Sequence, residues 1–480
     1  MLKKYIILFI VLISFTKVFS QAAFKRTYGS IGYAKGNSLV QTTDGGYLCT
    51  GSTSGYSNGA TDLFLFKTDS LGNVQWIKNY GGLNVEIGNH IVPSHDGNYL
   101  ICGYTNSFGN GGYDIYLLKV TPNGDTLWTQ TYGGSDWDFG NGVYVSSTGS
   151  IFIAAQTYSF DNNTPNGLLI KTDALGNEIF KKAFGGSNEE NFNAIVCTTN
   201  NTIALAGYTN SYGGGEKDAY VILTDTMGNK IDSLIMGGIE DDIINDIAIT
   251  ADDGFITAGY TTTNSAKDIY ELRLDSNLNH LWTAKFANAV ANTIVQTTDI
   301  NQYAIGGYST NINTGNAITA FVWVGTSAPG EYIPYFCPFK NFNPQPDVVN
   351  QMIKVPGGWC AIGTTESFGP GLSSVFLLKT NATLTACSEN YVLSNNENIE
   401  EKINPLYPNP TSTQLNLQFK KPVKQLSITL YNAIGQQVFT KNYSNISTIV
   451  EDVAAFDNGL YLIQIIADGI VGSQRLVIAK

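Results

Sequence analysis

Histidine is scarce in this chain of 480 residues: His90, His95 and His280 are all there is. An imidazole-based metal site or catalytic triad would need them to converge, and the repeat described below keeps them apart. The six cysteines include no CxxC pair and no metal-ligand spacing. Cys49, Cys102, Cys197 and Cys360 lie in apolar, strand-like runs, where a thiol acts as a small hydrophobe; Cys337 and Cys387 lie in connecting segments. A disulfide between any two stays open in an exported protein. Positive charge is also short: 27 Lys and Arg face 39 Asp and Glu, for a net charge of −12. That balance argues against nucleic acid or an anionic membrane as partner, since both need basic patches. P-loop and HExxH patterns are missing, and no cofactor or metal is expected. Past residue 20, no apolar run is long enough to span a bilayer.

What the chain has in quantity is glycine and tyrosine, 50 and 27 residues against four methionines, which favours turns and strands over helices. With 43% apolar residues it can bury a large core, and its length allows two or more domains. Residues 1–20 read as a secretory signal peptide: Lys3 and Lys4, an apolar stretch over residues 5–15, then the small residue Ser20.

A unit of about fifty residues then recurs. Its marker is an asparagine two residues before a buried apolar position: Asn37, Asn89, Asn141, Asn193, Asn245, Asn292 and Asn350. The markers are 52 residues apart four times, then 47 and 58. Each unit reads as four short strands, with hairpin signals at Asp44-Gly45, Asp96-Gly97 and Asp253-Gly254. The third strand begins near Asp62, Asp114, Asp218 or Asp268. A glycine turn (Gly72, Gly124, Gly176, Gly228) leads to a fourth strand carrying Trp76, Trp128, Phe180 or Trp282. The expected fold is all-β, a seven-bladed β-propeller over residues 21–388 with four strands per blade. The seventh unit lacks a fourth strand, and residues 24–30 align with residues 76–82. The amino-terminal strand should therefore complete the last blade and close the ring, removing an open edge.

Asp69, Gly72, Asn73 and Trp76, with their counterparts in most units, resemble the tryptophan-docking motif of quinoprotein-type propellers. The resemblance implies the fold and not the cofactor, because the calcium and quinone ligands of those enzymes are not found here. The unit as a whole is similar to propeller repeats common in exported bacterial proteins.

Composition shifts after Cys387. Residues 389–404 are polar and read as a linker. Residues 405–480 show period-two alternation, as expected for a small Ig-like β-sandwich. Tyr407-Pro408-Asn409-Pro410, the turn ending in Gly435, Asn458-Gly459-Leu460-Tyr461 and the basic end at Lys480 resemble the type A C-terminal sorting domain of the Bacteroidetes type IX secretion system. The resemblance implies that residues 405–480 engage the type IX machinery. It also implies export across both membranes, removal of this domain, and release or attachment to surface lipopolysaccharide.

A residue present in every blade is read as scaffold, so functional candidates are departures from the repeat. Glu86, Asp138, Glu190, Asp242 and Asp347 each lie three residues before a marker Asn. They are expected to accept backbone N–H groups or pair between blades. The loop face should carry Tyr56, Phe108, Phe160 and Tyr212, together with Asp136-Trp137 and a long insert containing Phe339 and Phe342. Aromatic rings among amides and hydroxyls suit sugar stacking or protein contact; packing of the loops is the competing reading for the four at equivalent positions, and Trp137 and the insert, which are not repeated, are the better candidates. The leading expectation is a secreted or surface-bound, non-catalytic propeller that binds carbohydrate or protein. An extracellular polysaccharide hydrolase or lyase using Asp136, Asp138, Glu189 and Asp242 near the channel is the alternative, and a structural adhesion role is a third. Asp69-Ser70-Leu71, Asp125-Thr126-Leu127, Asp225-Thr226-Met227 and Asp232-Ser233-Leu234 resemble a Bacteroidetes O-glycosylation motif, with ordinary turn chemistry as the competing reading.

Overall fold

In the computed structural model the described residues are 23–480, apart from 30–31, 56, 58, 161–163, 265, 298–301, 311–316, 327–345, 367–368, 370, 382–406, 432–436 and 468–469. No helix occurs among them. Blade one is Ala34–Gln41, Tyr47–Thr53, Asp62–Thr68 and Val74–Tyr80, paired in that order. Blades two to four repeat the pattern, opening with Glu86–Pro93, Asp138–Val145 and Glu190–Cys197. The opening strands of successive blades touch, and that of blade one also touches Asp347–Val355 of blade seven, so the ring is closed. Blade seven takes its outer strand from the other end of the chain. Phe24–Tyr28 runs antiparallel to Ser374–Asn381, with Phe24 opposite Lys379 and Tyr28 opposite Val375.

The two irregular spacings have physical causes. Blades one to five are joined by Gly-Gly loops, but between blades five and six one strand, His280–Gln296, does both jobs. Its first half pairs with Ala266–Leu274 at the rim of blade five; its second half pairs with Gln302–Thr310 near the axis of blade six. The loop is simply absent, which shortens the repeat to 47. The lengthened spacing of 58 falls after Ala317–Thr326, and the insert with Phe339 and Phe342 lies outside the described residues.

Burial explains why these strands do not alternate in sequence. Tyr47–Thr53 and Asp62–Thr68 are buried at every residue, because neighbouring blades cover both faces of each sheet. The outer strands, such as Val74–Tyr80, stay half-exposed. The core is a series of interblade clusters: Leu48, Leu63 and Leu65 of blade one meet Ile101, Tyr116 and Leu118 of blade two. Cys49 and Cys360 join Phe64, Phe66 and Phe24 where blade seven meets blade one; both are free, and burial pushes both thiols up. Each interblade cluster removes apolar area from water, the main stabilising effect.

The turn between third and fourth strands is held by one aspartate. Asp69 Oδ1 accepts the N–H groups of Leu71 and Asn73, and its Oδ2 accepts Asn73 Nδ2 at 2.8 Å. Asp173, Asp225 and Asp275 repeat this, including Asp173-Ala174-Leu175, which has no Ser or Thr. Turn chemistry therefore accounts for the aspartate at Asp69 and Asp225.

The C-terminal segment forms one four-stranded antiparallel sheet from Gln414–Tyr431, Gln437–Asp452, Gly459–Ala467 and Ile470–Ile478. A break in register between Gln418 and Val423 divides its longest strand, and residues on both sides (Leu415, Leu417, Ile428, Leu430) share one core with Ile463 and Leu476. Asn409 Oδ1 accepts the Val477 N–H, Asn458 Oδ1 accepts the Lys480 N–H, and the Tyr461 hydroxyl donates to the Asp457 carbonyl. Tyr407 bridges Asn416, and both Tyr407-Pro408 and Asn409-Pro410 are cis. Gly459 opens the third strand; Gly435 lies outside the described residues.

Candidate functional site: the loop face and the channel

Two surfaces of the ring carry the candidate residues: the end bearing the interblade loops, and the central channel. The loop end is built on buried acids. Glu86 Oε2 accepts the Gly82 N–H at 2.7 Å, and Asp138, Glu190 and Asp242 do the same for Gly134, Gly186 and Gly238. Threonines Thr105, Thr157 and Thr209 donate to Glu86, Asp138 and Glu190. These acids therefore pin backbone. A second acid joins them in three blades. A Cβ on Gly237 would stand 1.9 Å from Asp218 Oδ1 and 2.9 Å from Asp242 Oδ2, and Gly81 and Gly133 are flanked likewise by Asp62 with Glu86 and Asp114 with Asp138. Only glycine fits there. Burial and the adjacent Asp242 raise the Asp218 carboxyl, and burial and Asp138 raise that of Asp114. In blade three the partner of Glu190 is Asn166, which carries no charge.

Trp137 stands on this end. It is 50% exposed and sits at 6.1 Å from Tyr113, 6.4 Å from Phe139 and 6.1 Å from Tyr158 between ring centroids. Tyr104 completes the group, edge-on to Phe139 at 5.0 Å. The loop beneath is fixed on both sides: Tyr158 N–H donates to the Trp137 carbonyl at 2.8 Å, and Asp138 N–H to the Tyr113 carbonyl at 2.7 Å. Gly112 lets the indole lie close, since a Cβ there would meet its ring at 2.1 Å. Asp136 Oδ1 accepts the Trp137 N–H.

Beside Tyr158 is a polar cluster around Glu189, which the sequence offers only as a hydrolase acid. Glu189 accepts from the Tyr208 hydroxyl at 2.5 Å, from Gln156 at 3.3 Å and from Lys217 at 3.2 Å. Burial opposes ionisation of Glu189, but Tyr208 and Lys217 outweigh it and hold the carboxyl below its usual range. Lys217 also lies 4.1 Å from the Tyr208 ring.

The other predicted aromatics are placed differently. Phe108 and Tyr212 are exposed to 46% and 44%, yet each covers the second glycine of the preceding interblade loop, Gly82 and Gly186. Phe108 stacks on Tyr116, and Tyr212 donates to the Gly185 carbonyl. Phe160 packs under Lys181 at 4.4 Å. None of the three makes a ring contact with Trp137 among the described residues. Tyr56 lies outside them.

The channel is lined by the seven marker asparagines. Each is the bulged residue of its strand, where the pairing register slips. The bulge turns its side chain toward the next blade, where it donates to the carbonyl just before that blade's own asparagine. Asn37 donates to Gly88, Asn89 to Gly140, Asn141 to Phe192 and Asn193 to Ile244. Asn245 donates to Ala291, Asn292 to Val349 and Asn350 to Gly36, which closes the circle. All seven bonds measure 2.7–3.0 Å.

A second belt follows one residue later. Ser38, His90, Asp246, Thr293 and Gln351 each accept the N–H two residues past the next blade's marker: Ile91, Val143, Ile294, Met352 and Leu39. Gly142 and Ala194 hold this position in blades three and four and have no acceptor. His90 therefore keeps Nδ1 unprotonated; burial holds its pKa at about 4 despite the Val143 bond. Burial raises Asp246 to about 6. The acid lining the channel is thus Asp246, and not Asp136, Asp138, Glu189 or Asp242. His280 bonds Thr283 elsewhere.

No curated protein matches this chain significantly. Among solved structures, the Pan2 WD40 domain of Neurospora crassa is 12% identical, with 75% of this chain and 97% of that chain covered and a TM-score of 0.41. Sqt1 from Chaetomium thermophilum is 10% identical, with 70% and 81% covered and a TM-score of 0.43. A fungal alcohol oxidase of the AA5 family, in complex with copper, is 12% identical, with 96% and 100% covered and a TM-score of 0.40. The blade count rests on strand order and the asparagine circle, and these likenesses add nothing about activity. Residues 405–479 match the secretion system C-terminal sorting domain. With that tail, the chain is a β-propeller protein exported by type IX secretion, to be attached at the cell surface or released.

Proposed function

We propose that the exported propeller is a non-catalytic binding module that engages a cell-surface carbohydrate or protein through its loop face, with Trp137 as the anchor. The supporting observation is one half-exposed indole braced by Tyr113, Phe139 and Tyr158, with Glu189, Gln156 and Lys217 alongside. A rigid ring loses little entropy on binding, and its apolar face suits a sugar's C–H face or an apolar side chain. The hydrolase alternative is left with Asp136 and Glu189, because Asp138 and Asp242 hold backbone. The test is a glycan array and polysaccharide panel probed with the secreted chain and Trp137→Ala. Binding lost in the folded variant supports the proposal; turnover of a polymer, abolished in Glu189→Gln, overturns it.

A further inference from the structure

The channel offers a second site, independent of Trp137. Its cavity is about 310 Å³, the lower end of the range for small-ligand sites. The belt of post-asparagine side chains is interrupted at Gly142 and Ala194, and the cavity is lined there by Ile195, Val196 and Ile247. This apolar notch is flanked on one side by His90 of blade two and on the other by Asp246 of blade five. His90 spends Nδ1 on the Val143 N–H, so its proton sits on Nε2.

Asp246 is the only acidic side chain lining the cavity, and no Lys or Arg lines it among the described residues. Its oxygens accept Ile247 and Ile294 N–H groups, at 2.9 Å each, which orient the carboxylate without neutralising it. A carboxylate enclosed without a counter-ion is costly, and amide oxygens plus a carboxylate are the donor set that cations take. We infer that the channel binds one small cation at Asp246, with asparagine amide oxygens completing its shell. The shared chemistry fits a metal ion or a small organic ammonium.

The experiment is isothermal titration calorimetry on the full secreted chain at constant ionic strength, with calcium, magnesium and ethanolammonium chlorides as separate probes. One probe is expected to saturate at one per chain, and which one it is separates metal from ammonium. Asp246→Asn should weaken it about tenfold or more, the size of a lost charge-assisted contact. Ala194→Leu, which fills the notch, should do the same, and circular dichroism checks that both variants fold. Asp232→Asn, on an exposed outer strand, should bind as the parent does. No heat with any probe, or equal affinity in the parent and both folded channel variants, overturns the inference.

Discussion

The Tyr28 hydroxyl donates to the Gly72 carbonyl at 2.8 Å, joining the amino-terminal strand to a turn 44 residues on in blade one. Tyr80 to Gly124 and Tyr132 to Gly176 are the same bond two blades running. The ring of Phe24 also lies against Gly72 as Trp76 lies against Gly124 and Trp128 against Gly176. The borrowed strand thus makes the contacts of an ordinary fourth strand.

Tyr28→Phe should therefore cost about 1 kcal/mol, the net worth of one hydrogen bond. Removing residues 24–28 should cost far more, since it bares the edge of Ser374–Asn381 and strips Phe24 and Tyr28 from the core. Urea denaturation of the two variants reads the first; light scattering reads aggregation in the second.

Asn193→Ala removes one bond from the asparagine circle and leaves the Ile244 carbonyl without its 2.7 Å donor. The expected loss is about 1–2 kcal/mol, measured as a shift in denaturation midpoint. Asn193→Asp should cost more, because it brings a carboxylate against that carbonyl.

Asp218→Asn should stabilise the fold at pH 7–8, because blade three already shows Asn166 beside Glu190 where blade four sets two acids together. The raised Asp218 carboxyl binds its proton more tightly folded than unfolded, so the parent loses stability as pH rises above 3.8 through the raised value. The gain from the variant should shrink toward pH 4. Thermal unfolding of parent and variant at both pH values checks the sign.

His90 and Asp246 should oppose each other in acid. His90, lowered from 6.5 to about 4, favours the native state above 6.5 and loses that advantage as pH falls toward 4. Asp246, raised from 3.8 to about 6, weakens the native state above 6 and is relieved over nearly the same interval. His90→Gln should leave a protein that becomes more stable on acidification from pH 6 to 4, relative to the parent. Asp246→Asn should leave one that becomes less so. Stability measured across that range in both variants decides it.

The ring was legible because its markers are structural: the bulged asparagine must be an amide to reach the next blade, so it recurs at Asn37, Asn89 and onward. Glu86, Asp138, Glu190 and Asp242 recur for the same reason, since each holds a Gly-Gly loop. The residue after the asparagine is Ser38, His90, Gly142, Ala194, Asp246, Thr293 or Gln351, and no repeat signal marks it. Acceptors of different size serve there and two blades do without one, so the position drifts, and only coordinates reveal that it lines a cavity. Phe108 and Tyr212 recur for a structural reason too: both cover glycines, the loop packing that their equivalent positions in the sequence suggest.

The unbroken ribbon His280–Gln296 has a mechanical consequence. Sectors five and six are welded rim to hub, with no flexible joint to yield under load, whereas sectors one and seven are clasped only by side chains, ladder bonds and a borrowed strip. A pull on the wheel would unfasten it at that clasp first, where Phe24–Tyr28 pairs with Ser374–Asn381.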